Sequence, residues 1–138
     1  MGFNKIKIEA TVRGDRSQVW EAWTKPEHIT KWNFATDSWC CPWAENDLRV
    51  GGKYSARMEA KDGSFGFDFE GVYQEVTPYS RLVFVMPDGR SVATEFADEG
   101  GQTRITTVFD AETQNSEEMQ KNGWQAILNN FKGYFEGL

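Results

Sequence analysis

The chain has 138 residues and a formal net charge of -6 at pH 7, and its ten Phe, six Trp and four Tyr make it unusually aromatic. That length suits one domain, residues 1–138, with enough chain to bury a real core. The acidic balance argues against nucleic acid and against anionic membrane surfaces as partners, because both need a basic field.

The N-terminal stretch MGFNKIKIEA has no apolar leader segment, and no apolar run in the chain reaches spanning length. Neither a signal peptide nor membrane insertion is therefore expected, and the setting reads as cytoplasmic. From Lys5 to Val12 polar and apolar residues alternate, with Ile6, Ile8, Ala10 and Val12 on one face: a half-buried first strand. Gly14-Asp15 ends it. Asp15 with Gln18 can cap a helix carrying Val19, Trp20 and Trp23, and Pro26 opens a second short helix with Ile29 and Trp32 inward. His28, the single histidine, falls in the opening turn and is expected on the exposed side. From Phe34 to Asn46 the pattern is irregular, with Trp39, Cys41 and Trp43 alternating as in one short strand interrupted by Pro42. Cys40 and Cys41 are neighbours, so a bridge between them would be strained, and two adjacent thiols do not make a metal site.

Gly51-Gly52 leads into a strand from Lys53 to Ala60, and Asp62-Gly63 is a hairpin signal. The next strand, Ser64 to Thr77, sets Phe65, Phe67, Phe69, Gly71 and Tyr73 against Asp68, Glu70 and Gln74. Leu82 to Met86, Ser91 to Ala97 and Thr103 to Phe109 complete a series of hairpins, hence an antiparallel meander of about six or seven strands. From Asn115 to Glu136, Trp124, Ile127, Leu128, Phe131, Tyr134 and Phe135 form one helical stripe. Asn115 with Glu118 reads as its capping box and Gly137 as its stop. At roughly 30 Å such a helix crosses a small domain. The fold class is α+β: two short helices after the first strand, and a curved antiparallel sheet wrapped round the long C-terminal helix.

Several stretches resemble a known family. They are VWEAWTKPEHITKW from Val19 to Trp32, DLRVGGKY from Asp47 to Tyr54, GVYQEVTP from Gly71 to Pro78, RLVF from Arg81 to Phe84, and Gly123-Trp124. In this order they are similar to the Hsp90-ATPase-activator-homologue (Aha-type) group of the START-like (SRPBCC) superfamily, which implies the helix-grip fold of the birch-pollen allergen. Two positions depart from its pattern: Asn33 stands where the family has a second tryptophan at the mouth of its cavity, and Ser80 where it has an acid.

The resemblance implies an apolar cavity between sheet and helix that binds a small hydrophobic or amphipathic molecule. Its candidate lining is Trp32, Tyr54, Met58, Phe67, Phe69, Tyr73, Phe84, Phe96, Trp124, Ile127 and Phe131, with the mouth near Trp32, Asn33 and Phe34. The same side chains would serve equally as a filled core. The resemblance also implies contact with heat-shock protein 90 as a second reading, although the eukaryotic activators carry a further N-terminal domain for which this chain has no room. A polyketide cyclase-like enzyme is a third. No catalytic residue, metal ligand or cofactor is assigned. Asp68, Glu70 and Glu95 are expected on the solvated face of the sheet, and Arg49 is expected to hold its turn by an ion pair rather than to reach a ligand's polar group, the other role open to it.

Overall fold

The computed structural model describes residues 3–138. In chain order the elements are β1 (Lys5–Arg13), α1 (Arg16–Thr24), α2 (Pro26–Trp32), β2 (Trp39–Cys40), β3 (Ala44–Asn46), β4 (Lys53–Ala60), β5 (Gly66–Thr77), β6 (Arg81–Val85), β7 (Ser91–Asp98), β8 (Gln102–Asp110) and α3 (Glu117–Glu136). The strands form one antiparallel sheet in the order β1-β8-β7-β6-β5-β4-β2, with β3 also on β4. Expected and observed architecture agree, a curled sheet gripping a C-terminal helix. The sheet has eight strands because the irregular 34–46 stretch supplies two, on either side of Pro42, both paired with β4. Proline has no N–H for a ladder, and the pairing with β4 shifts by one residue between Cys40 and Ala44, around Pro42.

Local chemistry accounts for the helix starts. Asp15 accepts a hydrogen bond from the Gln18 N–H at 2.9 Å, and Pro26 opens α2. The α3 cap is Ser116 and not Asn115: the Ser116 hydroxyl accepts from the Met119 N–H at 3.1 Å. The Asn115 N–H is already donated to Glu112 at 2.8 Å, in a turn that Gln120 closes by bonding back to the Glu112 backbone. At the other end Gly137 continues in right-handed geometry, with φ -91°, and supplies no left-handed stop.

Long β5 bends at an irregularity between Tyr73 and Glu75, which adds a residue relative to β6 and helps the sheet curl. α3 lies against β1, α1 and α2. Val12, Val19, Ile29, Ile105, Phe109, Leu128 and Phe131 are essentially inaccessible there. At Gly14 (φ 153°) an added Cβ would stand 2.5 Å from the Phe135 ring, so the missing side chain is what lets the end of α3 close on the β1–α1 turn. Among the described residues no helix is long and apolar enough to cross a membrane.

Candidate ligand-binding cavity

The inner face of the sheet is covered unevenly. Over β1 and β8 the C-terminal half of α3 and the two short helices fill the space with rings: Trp23 stacks on Trp32 with centroids 4.8 Å apart, and Phe131 meets both edge-on at 4.9 and 5.0 Å. Over β4 to β7 Trp124, Ile127 and Leu128 reach down from α3, and a cavity of about 520 Å³ remains. Trp124 is held by stacking on Phe109 at 4.0 Å and touches Phe69 at 5.9 Å. Phe84 continues the wall, 5.9 Å from Phe69 and 5.6 Å from Tyr54.

Nine of the eleven candidate side chains stand in this wall: Trp32, Tyr54, Met58, Phe67, Phe69, Tyr73, Phe84, Trp124 and Ile127. Phe96 and Phe131 do not. Phe96 packs under Trp20 and Trp23, at 5.6 and 5.8 Å, and Phe131 is sealed between Trp23, Trp32 and Phe135. Both share a face with cavity residues but lie farther along it, toward the filled end, which strand and helix periodicity do not distinguish. Among the wall residues absent from the candidate set are Leu82, Met86, Arg90, Val92, Thr94 and Thr107. A signal for all six was present: Leu82 and Met86 share the parity of Phe84 along β6, Arg90, Val92 and Thr94 that of Phe96 along β7, and Thr107 that of Phe109 on β8.

The open side is also displaced from expectation. Trp32 and Asn33 are 3% and 8% exposed. The Trp32 indole donates to the Ala22 carbonyl at 3.0 Å, and the Asn33 amide to the Tyr54 hydroxyl at 3.3 Å, so this end is closed. Exposed wall residues gather instead at the start of β5 and the β6–β7 turn: Phe67, Asp68, Pro87 and Asp88.

Polar groups in the wall are few and tethered. The Tyr73 hydroxyl donates to Asn46 at 2.7 Å, and the Asn46 amide donates to the Thr24 carbonyl at 2.7 Å, tying β5 through β3 to the end of α1. Burial holds the Tyr54 and Tyr73 hydroxyls well above the ordinary phenol range, outweighing their amide partners, so both stay protonated. Burial likewise pushes the Cys41 thiol up to about 11, against an opposing hydrogen bond from Asn33; both cysteines are free. Such a thiol is a poor nucleophile at neutral pH. His28 is half-buried and not exposed, because its Nδ1 lies 2.7 Å from the Tyr134 hydroxyl on α3. That pair stands outside the cavity wall. Asp68 and Glu70 pair with Arg57 and Lys53 on β4, at 3.2 and 2.8 Å, and Glu95 with Arg81 at 2.9 Å. Arg49 holds its turn through Asp47 at 2.9 Å.

The family described as Activator of Hsp90 ATPase homolog 1-like protein matches residues 13–136. The chain belongs to that family. Among solved structures it is similar to an AHSA1-like protein from Aeromonas hydrophila, with 46% identity, coverage of 97% of this chain and 93% of that one, and a TM-score of 0.91. A protein from Cytophaga hutchinsonii is 45% identical over 96% of this chain and 92% of its own, with a TM-score of 0.84. A Nitrosomonas europaea protein shares the fold at 22% identity, covering 96% and 94%, with a TM-score of 0.83. No curated protein matches the chain. Family and fold together support a START-like ligand-binding domain.

Proposed function

We propose that the protein binds a small hydrophobic or amphipathic, lipid-like molecule in the cavity between β4–β7 and the N-terminal half of α3. The observation that carries this reading is the cavity itself: about 520 Å³, walled mostly by aromatic and aliphatic side chains and open at one side. That volume falls within the range of about 300–1,000 Å³ usual for small-molecule sites. A cytoplasmic setting suits the two free thiols. No reaction is assigned: the phenols are held protonated, and His28 faces Tyr134 and not the cavity.

An environment-sensitive apolar dye, with native mass spectrometry of freshly purified protein, tests the reading. Dye should bind the folded chain, and Ile127→Trp, which fills the cavity from the helix side, should abolish binding while leaving the melting temperature within a few degrees. Dye binding that survives this substitution places the site elsewhere.

A second reading, contact with heat-shock protein 90, draws on the family description and on an exposed aromatic group at the open end. Trp39, Phe65 and Phe67 lie with ring centroids 6.0 to 6.3 Å apart, and Phe65 is 61% exposed. Saturable stimulation of the chaperone's ATPase, reduced by Phe65→Ser, is the expected result; no rate change at high micromolar protein eliminates it.

A further inference from the structure

Several donors in the cavity wall have hydrogens to spare, and two of them lie along one strand. Arg90, Val92 and Thr94 follow each other at every second position into the inner face of β7, and all three line the cavity. At ~3.3 Å per residue Arg90 and Thr94 are roughly 13 Å apart. Arg90 sits at the open side, in the turn before β7, and Thr94 lies deep, 4% exposed.

Each polar group has hydrogens left over. The Arg90 Nε–H donates to Asp88 Oδ2 at 2.6 Å, but among the described residues no acceptor meets either Nη, although the side chain is only 19% exposed. Asp88 also accepts from the Arg90 backbone N–H, through Oδ1, at 3.1 Å, so it grips one edge of the guanidinium and leaves the other free. Thr94 and Thr107 face each other, Oγ1 to Oγ1, at 3.1 Å, with no other partner among the described residues. Two hydroxyls carry two protons and one bond uses one of them, so one proton remains for an occupant. At Tyr54 the Asn33 amide occupies the oxygen as donor, which leaves the phenol proton free as well. The carboxylates at the open side have their charge countered. Asp68, Glu70 and Asp88 are each paired with a cation, at 3.2, 2.8 and 2.6 Å.

Among the described residues no buried side-chain nitrogen or oxygen lacks a partner, so the spare hydrogens face the cavity, and a favoured occupant brings acceptor oxygens to these points. The free edge of Arg90 offers two parallel N–H groups, which match a carboxylate better than a neutral oxygen or a cation. We propose that the cavity is selective for an amphipathic carboxylate, whose head group meets the Nη edge of Arg90 at the open side. Its apolar body lies against Leu82, Phe84 and Trp124, and a second oxygen, keto or hydroxyl, at mid-length accepts from the Thr94–Thr107 pair. This rests on the cavity being a ligand site at all, and the experiment separates the two claims.

Dodecanoate, dodecanol and dodecyltrimethylammonium share one alkyl chain and differ in head group. Their affinities for the full chain, measured by dye displacement below their micellar concentrations, test the head-group subsite. Dodecanoate should bind about tenfold more tightly than the other two. Arg90→Gln should erase that ratio while leaving dodecanol unchanged, whereas Arg57→Gln, outside the wall, should preserve it. A mid-chain keto derivative of dodecanoate should bind more tightly than dodecanoate itself, and Thr94→Val should remove the gain. Equal affinity for the three head groups, or preference for the ammonium, overturns the carboxylate subsite and leaves the cavity reading standing. Failure of the dye and all three amphiphiles to bind overturns both. Because the head-group ratio is measured on the unsubstituted protein, the test holds even if Arg90→Gln does not fold.

Discussion

The two halves of α3 face the same sheet with the same kind of stripe and meet opposite surroundings. Toward the C-terminus Phe131 and Phe135 are 0% and 9% exposed, because α1 and α2 lay Trp20, Trp23 and Trp32 into the gap. Toward the N-terminus Trp124 and Ile127 meet no third layer, and the sheet curls away from them around empty volume. An amphipathic stripe therefore states that a face will be covered, not how completely. Completeness depends on whether another element can reach the same space.

Paired truncations on the two halves should show the largest difference. Phe131→Ala should destabilise by about 3–5 kcal/mol, the range for a large side chain lost from a packed core. Ile127→Ala should cost only about 1 kcal/mol, since part of that side chain already borders a void. Chemical denaturation measures both, and equal losses would mean that the cavity end is packed like the other.

Next in size is Gly71→Ala. A Cβ there would stand 2.3 Å from the Phe84 ring, so the ring must turn into the cavity. The expected cost is about 1–3 kcal/mol, at the low end because the ring has somewhere to go. Dye affinity should fall with it. Unchanged affinity would show that Phe84 does not border the occupied volume.

A smaller effect concerns Asp110, which anchors the start of β7 near the open side by accepting from the Ser91 N–H at 2.8 Å and from its hydroxyl at 3.1 Å. Burial alone would raise this carboxyl, but the Lys5 ammonium and the two Ser91 donors outweigh it and the net direction is down. A depressed folded pKa means that the stabilisation is fully present above the ordinary aspartate value of about 3.9 and is lost as pH falls through the folded value. Asp110→Asn should cost about 1 kcal/mol at neutral pH and flatten that acid limb of the stability curve. The limb surviving intact in the variant would assign it to other carboxylates.

The smallest is expected at His28, whose bond to Tyr134 joins α2 to the filled half of α3. His28→Ala should lower stability by about 1 kcal/mol or less and leave dye binding unchanged. A loss of binding would tie the two halves together more closely than their packing implies.

Periodicity and turn chemistry alone make most of this fold legible. The alternation in Lys5–Val12, the Asp62-Gly63 hairpin, the Pro26 helix start and the α3 stripe are local properties, carried by residues a few positions apart. Parity also brought nine of the eleven candidate side chains to one wall. Local pattern could not choose between Asn115 and Ser116 as the α3 cap, because both side chains can do it; in the structure the Ser116 hydroxyl accepts from the Met119 N–H. Nor could it give His28 its partner, which lies 106 residues away.

The filled and open regions of the interior were decided only in three dimensions. Phe96 and Phe131 have the pattern of cavity residues, yet Trp20, Trp23 and Trp32 reach them first. Arg90 and Thr94 have the parity of inward residues, but only the packing of β7 sets them beside a space that no side chain fills. Sequence determines which side chains face inward, because that follows from backbone geometry within each element. Whether an inward group meets a partner, a void or a ligand depends on distances between elements far apart in the chain, and those are set by packing.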